Sequence, residues 1–403
     1  MLDLRKHPAK RLREPVASRA TLQGESVVFY DDAGFSERDW RSLQFMCDSQ
    51  KRHTVHEAGA FGMGSRSFFH ITDVLQVLSH SKLSSLDPDE LLGSGHFGEQ
   101  TDFVEEQLLK KFPDEVAPFH GMFGCDMAKD FPGTIIRASL RTPERAKKCS
   151  FCSHPFDLSR AERIFKEFEE VMTNGEVILF LTCVRNVELW QWNDGEKSPT
   201  LIARTMLGVS SGHRLSAQMS SPREMRTYLE QFKTSEDPFR DLQRDLTKPD
   251  TKPPKILDIV DMETEFASTG RKVKSRRWLR FGAFCTDPET VRLGVSCSSV
   301  PIVTLALPIS GEAAEGRVFT LLPLPLPTGL PGHINACFRL HDNRRALWRL
   351  TKDLEGEHRI WSSWNERLLT TFLPTVYAEA LTFLASASDM ATEYGHCAWP
   401  KEA

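Results

Sequence analysis

Residues 58–73 read AGAFGMGSRSFFHITD. Gly59, Gly62 and Gly64, with Ala60 among them, are followed by the apolar Phe68, Phe69 and Ile71. Glycine lets backbone N–H groups come close to a ligand and permits positive φ. N–H groups at the start of a helix are unpaired and sit at the positive end of its dipole, so they favour anions. The spacing therefore suits a phosphate cradle backed by a helix over 65–72. The same spacing equally serves a glycine-rich turn before a core helix, because short glycine motifs are common.

Two further segments bear on that choice. Residues 26–35, SVVFYDDAGF, give an apolar strand ending on Asp31, Asp32, Ala33 and Gly34. Residues 131–140, FPGTIIRASL, give a Pro132–Gly133 turn, then Thr134 and a β-branched strand. A carboxylate accepts from an exocyclic amine, and a threonine hydroxyl donates or accepts beside it. Such a pair can read an adenine edge while a glycine loop holds phosphates.

Strand–Asp-x-Gly, then G-x-F-G-x-G-x-x-S, then Gly-Thr before a strand resembles the ATPase superfamily of gyrase, the ninety-kilodalton heat-shock chaperone, histidine kinases and MutL. Within it, YDDAGFSERDW, GAFGMGSRSFFHITDV, PFHGMFG, FPGTIIRASLR, LLPLPLPTGLPGHINACFRL and SWNERLLTTFLPTVYAEAL are similar to successive segments of the sacsin-type repeat, over about 22–384. The resemblance implies an α/β fold: a two-layer nucleotide-binding domain, helices over one face of a mixed sheet, then a smaller α/β domain. It implies ATP as ligand, with Asp32 on the adenine amine and Thr134 beside it. Gly34 completes the Asp-x-Gly turn, and Gly59, Phe61, Gly62, Met63, Gly64 and Ser65 offer N–H groups to the phosphates. A basic residue of the second domain, Arg344 or Arg345, is the candidate contact to the terminal phosphate, since a guanidinium fork suits phosphate oxygens. It further implies a cytoplasmic chaperone or co-chaperone acting on client proteins, with a link to the seventy-kilodalton heat-shock chaperone and homo-oligomers as a further expectation. The alternative is an interaction scaffold that keeps only the fold.

Three departures stand out. Ser36 replaces the second glycine of Asp-x-Gly-x-Gly, and Ser65 replaces the aromatic after the last cradle glycine. No E-x-x-x-N-A-x-D-A segment lies upstream, so the glutamate that polarises water and the asparagine that holds Mg²⁺ have no counterpart; Glu14 is followed by Pro15. Weak or absent hydrolysis follows, from an N-terminally truncated domain or one that lost the element.

Composition limits other classes. The chain has 403 residues and net charge −4, from 51 basic and 55 acidic side chains, with no global signal for nucleic acid. The 9 cysteines are scattered and odd in number, as for reduced thiols. No apolar run approaches the ~18 residues of a membrane span.

Along the chain, 1–20 reads as a tail and 21–230 as the nucleotide-binding domain without its first helix. A linker at 231–254, marked by SEDP, TKPD and TKPP, with helix over 219–242 as the other reading of its first part, leads to the second domain at 255–385 and a tail at 386–403. Ser36 to Asp39 resembles a capping box. Residues 74–83 continue the helix after the glycines. Residues 159–172 form a core-facing helix, and 177–184 a buried strand. His53 with His56, and Cys149, Cys152 and His154, invite a metal but lack the remaining ligands of a closed site; solvated loops suit them better. The basic run at 271–280 reads as a solvated strand edge. Pro323 and Pro325 place 318–326 at an edge or bulge, and Pro374 breaks the amphipathic helix of 364–384.

Overall fold

The computed structural model describes residues 1–44, 67–93, 95–174, 176–209, 222–266, 272–310 and 315–386. The class is mixed α/β, as expected. By contacts the chain divides into two units: Met1–Gln50, Phe61–Glu170 and Glu188–Ala203 form the first, and Lys51–Ala60, Val171–Val187 and Arg204–Ala403 the second.

The first unit is built on β1 (Leu2–Asp3), β2 (Ser26–Asp31), β3 (Leu75–His80), β4 (Lys82–Leu86), β5 (Gly98–Asp102), β6 (Phe131–Ser139) and β7 (Asn186–Trp192). Their order is β7-β1-β2-β6-β3-β4-β5. All pairs are antiparallel except β1 with β7. The segment 74–83, expected as helix, is instead the β3–β4 hairpin. Leu75 and Val77 pack on one face with Trp40 and Ala138, while Leu78 and Leu83 pack on the other with Phe103, Phe119 and Ile135. A strand buried on both faces reads as a continuous apolar run, which periodicity cannot separate from helix. For the same reason apolar clusters cover both faces of this sheet, not one.

Residues 1–20 are not a tail. β1 pairs with β2 and β7, and the Met1 amine donates to the Val28 carbonyl at 2.6 Å. Arg5 lies 3.6 Å over the Trp192 ring. Arg13 and Arg19, the latter on α1 (Val16–Ala20), form a half-buried ion network with Glu99 and Glu115. The contacts lie 80 to 102 residues away in sequence, beyond any local pattern.

The helix α2 (Glu37–Gln44) starts at the expected box: Asp39 Oδ2 accepts from the Ser36 N–H at 2.9 Å and from its hydroxyl at 2.6 Å. After α3 (Leu108–Lys111), α4 (Pro113–Val116) and α5 (Pro143–Ala146), α6 (Leu158–Asn174) appears where expected. Only part of it faces inward: Ala161 and Met172 are buried, whereas Phe168 and Val171 are about half exposed. The expected strand at 177–184 is a 3₁₀ turn, Glu176–Ile178, and an irregular run whose Ile178, Leu179 and Phe180 are buried. β8 (Thr200–Val209) follows β7 through a turn at Gly195, φ 78°.

In the second unit, β9 (Ile256–Phe266), β10 (Lys272–Phe284), β11 (Ile302–Pro308), β12 (Arg317–Thr320), β13 (Leu322–Pro327) and β14 (His333–Ala336) lie in the order β13-β12-β14-β11-β10-β9. The expected linker is part of this core. α7 (Pro222–Glu230) and α8 (Pro238–Leu246) supply Met225, Leu229, Phe239, Leu242 and Leu246 to a cluster with Ile256 and Val291. The SEDP signal is a helix start: Asp237 caps α8 by accepting from the Arg240 N–H at 3.1 Å, with Pro238 at the first position. The first part of the basic run, Lys272 to Arg277, has register partners on β9 alone, as an edge would, whereas from Trp278 onward β10 pairs with β9 on one side and β11 on the other, so Arg280 is interior. The charges of the run are met by Glu176 for Arg276, Asp261 for Arg277 and Asp258 for Arg280. β13, with its prolines, pairs with β12 and with no other described strand.

After α9 (Pro288–Ser296), the closing helix runs as α10 (Gly356–Arg367), a π-turn at Leu368–Phe372 and α11 (Leu373–Ser386). Pro374 lacks the N–H that would continue the α ladder, and the wider turn sits just before it. By length and apolarity alone, Gly356–Ser386 would suffice to cross a membrane. Trp364, Leu368, Phe372, Val376, Ala380 and Leu384 are buried in the core of this unit, though only 33% of the apolar window is buried.

Candidate functional site

Three strand ends of the first unit converge. β2 ends at Asp31, the β3–β4 hairpin turns at His80, and β6 begins at Phe131. Asp31 and Ser79 are both register partners of Thr134. The loop leaving β2 folds over these ends. Asp31 Oδ1 accepts from the Ala33 N–H at 2.8 Å, an Asx turn. Thr134 Oγ1 donates to the Ala33 carbonyl at 2.8 Å and lies 3.0 Å from Ser79 Oγ. Ser79 Oγ donates to the Gly133 carbonyl at 3.0 Å and accepts from the Phe35 N–H at 2.9 Å.

Close approach explains two glycines. A Cβ on Gly133 would stand 2.7 Å from the Asp31 carbonyl oxygen, and one on Gly34 would stand 2.4 Å from His80 Nε2. His80 is held from its other side, with Nδ1 3.3 Å from Asp130 Oδ2. Tyr30, beneath the loop, stacks on Phe123 at 4.2 Å. Partial burial raises the Tyr30 phenol above its ordinary range, helped by the charges of Asp32 and Asp31.

Asp32 is exposed. Its carboxylate makes no hydrogen bond or ion pair with the described residues, although its backbone is pinned on both sides. The loop therefore presents an uncommitted acceptor on a fixed base. Thr134 differs from the sequence reading. It is 2% exposed, and its hydroxyl proton goes to the Ala33 carbonyl, so it positions the loop and offers no donor to a ligand.

The segment entering β3 is anchored separately. Asp73, fully buried, pairs with Arg141 and Arg145. Arg141 also donates to the carbonyls of Phe69 at 2.5 Å, His70 at 3.3 Å and Thr72 at 3.0 Å. These contacts fix the 3₁₀ turn Phe68–His70, which continues directly from helical Ser67; the described part of the helix expected over 65–72 ends there. Burial pushes the Arg145 guanidinium down from its ordinary value, with the Asp73 charge opposing it.

Gly59, Phe61, Gly62, Met63, Gly64 and Ser65, with His53 and His56, lie outside the described residues. Arg344 and Arg345 belong to the second unit, on an exposed turn where Arg344 has φ 54° and the Arg345 N–H donates to Asn343 Oδ1 at 3.0 Å. Among the described residues no group of three or more His, Cys, Asp and Glu is arranged to hold a metal ion, Cys149, Cys152 and His154 included. Ser79 and His80 were missed by sequence reasoning. The signal that could have found them is the Ser-His-Ser turn of a hairpin, concealed by reading 74–83 as helix.

A family model described as the sacsin domain matches residues 1–204. Over 387 residues the chain is 27% identical to "Sacsin" of Homo sapiens, an alignment covering 89% of this chain and 8% of that protein.

Proposed function

The chain belongs to the sacsin domain family, and from that premise we propose that it is a sacsin-like chaperone module that binds ATP with weak or no hydrolysis, in protein quality control. The observation that carries the nucleotide reading is Asp32: an exposed, unbonded carboxylate on a loop tied down across three strand ends. An acceptor-only group so fixed suits the exocyclic amine of adenine. The N–H groups of Gly59, Phe61, Gly62, Met63, Gly64 and Ser65 would meet the phosphates; Arg344 and Arg345 stay the proposed candidates for the terminal-phosphate contact. Bound ATP would supply a conformational signal more than a reaction, because the sequence has no counterpart of the family's water-polarising glutamate and Mg²⁺-holding asparagine. Client proteins, the seventy-kilodalton heat-shock chaperone and a second copy of the chain are the proposed partners, and the cytoplasm the proposed location.

One observation favours the second reading, a nucleotide-free scaffold: the Thr134 hydroxyl is committed internally. Titration of the whole chain with a fluorescent ATP analogue separates the two. Hydrogen bonds to a charged group contribute about 1.5–3 kcal/mol, so Asp32→Asn is expected to weaken binding about 10- to 150-fold. Gly62→Val is expected to abolish it. No saturable binding by the parent chain leaves only the scaffold.

A further inference from the structure

His333, the first residue of β14, is fully buried in the second unit. Its ring packs against Trp278 of β10, with centres 5.0 Å apart, and against Phe319 of β12, at 5.2 Å. Nδ1 accepts from the Arg317 N–H at 3.0 Å. A backbone N–H can only donate, so Nδ1 is unprotonated and the proton of the neutral ring sits on Nε2. β12 runs parallel to β14 with Val318 opposite Ile334, which sets Arg317 opposite His333. There the ring takes the place of a main-chain acceptor at the start of β12.

On its other side the ring meets a carboxylate. Nε2 lies 3.3 Å from Oε2 of Glu176, on the 3₁₀ turn Glu176–Ile178, yet makes no hydrogen bond with it. Glu176 Oε1 accepts from the Arg276 guanidinium at 3.1 Å. Other ionisable groups on the surrounding elements are few. β11, β13 and the remainder of β14 carry none. Further along β10, Arg277 is paired with Asp261 and Arg280 with Asp258. At the start of β12, Glu315 and Arg317 are exposed.

We propose that His333 is an acid-sensitive latch on the β12–β13 edge. The neutral ring holds the Arg317 N–H. A proton taken from solvent at Nδ1 makes both ring nitrogens donors. The Arg317 N–H then loses its acceptor, while the imidazolium pairs with Glu176 through Nε2. Nδ1 serves only one of these two states at a time. Histidine is the side chain whose ordinary charge change falls between about pH 5 and pH 8, and Glu176 supplies the countercharge that a buried imidazolium needs. Release at Arg317 bears on the whole hairpin. The Thr328 N–H donates to the Gly316 carbonyl at 2.9 Å, closing β12 onto β13 beside Arg317, and β13 pairs with no other described strand.

The whole chain, labelled with nitrogen-15 histidine, is compared by magnetic resonance at about pH 8 and about pH 5, the two ends of that range. The His333 ring, identified by its absence from H333N, should show an unprotonated Nδ1 at the higher pH and a protonated one at the lower. Deuterium uptake by β12, corrected for the intrinsic effect of pH on exchange, is read at the same two values. Loss of one hydrogen bond should lower its protection about 2- to 13-fold, with the amides that join β10 to β11 unchanged. His333→Asn keeps an acceptor near the place of Nδ1 that takes up no proton, and Glu176→Gln removes the countercharge. In both variants β12 should keep its protection at the lower pH. The proposal is overturned if Nδ1 is in one state at both pH values, or if β12 protection changes by less than about twofold. It is equally overturned if protection falls as far as in the parent in either variant whose β10–β11 amides stay protected.

Discussion

Substituting Glu115 by Gln tests whether residues 1–20 belong to the folded core. Glu115 is 4% exposed. It accepts from Arg13 Nη2 at 2.6 Å, Arg13 Nε at 2.9 Å and Arg19 Nη1 at 2.8 Å. With Glu99 the four charges balance. Glu115→Gln keeps the shape but leaves two guanidiniums facing one carboxylate. Breaking a buried ion pair costs about 3–5 kcal/mol, and the remaining Glu99 with partial exposure of Arg13 lowers this to about 2–4. The penalty falls on the arm, so it should appear as easier local opening. Hydrogen exchange at the Leu4 and His7 amides reads it directly, since these donate to the carbonyls of Trp192 and Gln23 at 2.8 and 3.1 Å. At 1.36 kcal/mol per decade, their exchange should accelerate about 30- to 1,000-fold. A change below about fivefold, with the rest of the unit unaltered, would falsify the integrated arm.

Thr134→Val should cost about 1–3 kcal/mol of stability in urea, and its effect should be non-additive with Ser79→Ala because the two hydroxyls share one network; full additivity would refute the coupling. Burial alone would raise the Glu99 carboxyl, but hydrogen bonding and charge from Arg19, with the charge of Arg13, hold it below its ordinary range. A depressed folded pKa gives stability that is complete above the unfolded value and is lost as pH falls through the folded one. Glu99→Gln should therefore flatten the acid side of a stability profile measured below about pH 4.5, and an unchanged slope there would contradict the assignment. Trp364, buried with Nε1 donating to the Cys337 carbonyl at 2.9 Å, should cost about 3–5 kcal/mol on replacement by Ala, as read by denaturation of the second unit.

What the sequence disclosed follows the range of the forces involved. The Ser36–Asp39 cap, the β6 strand after Pro132–Gly133 and the break at Pro374 are local chemistry, and each lies where the residues put it. The β3–β4 hairpin was misread because apolar residues face both sides, and the turn at His80, φ 53°, carries no glycine or asparagine. The arm was misread, and the helices over 222–246, although helix over 219–242 was legible, were not seen to belong to the core, because their partners are distant: charges for the first, an apolar cluster for the second. At the candidate site, the Asp31–Gly34 turn and Thr134 were legible as residues. The direction of the Thr134 hydroxyl was not, because it depends on Ser79, which sequence reasoning assigned to the wrong element.

The division of the chain has an evolutionary corollary. Among the described residues the polypeptide passes from one unit to the other after Glu170, after Val187 and after Ala203, the last two within β7 and β8, and the family match stops at 204. Neither half is a contiguous stretch that duplication or exon shuffling could copy alone without severing a strand. Selection would then act on the whole span as a single heritable piece. The alignment to the human protein, which covers 89% of this chain, likewise takes in both units.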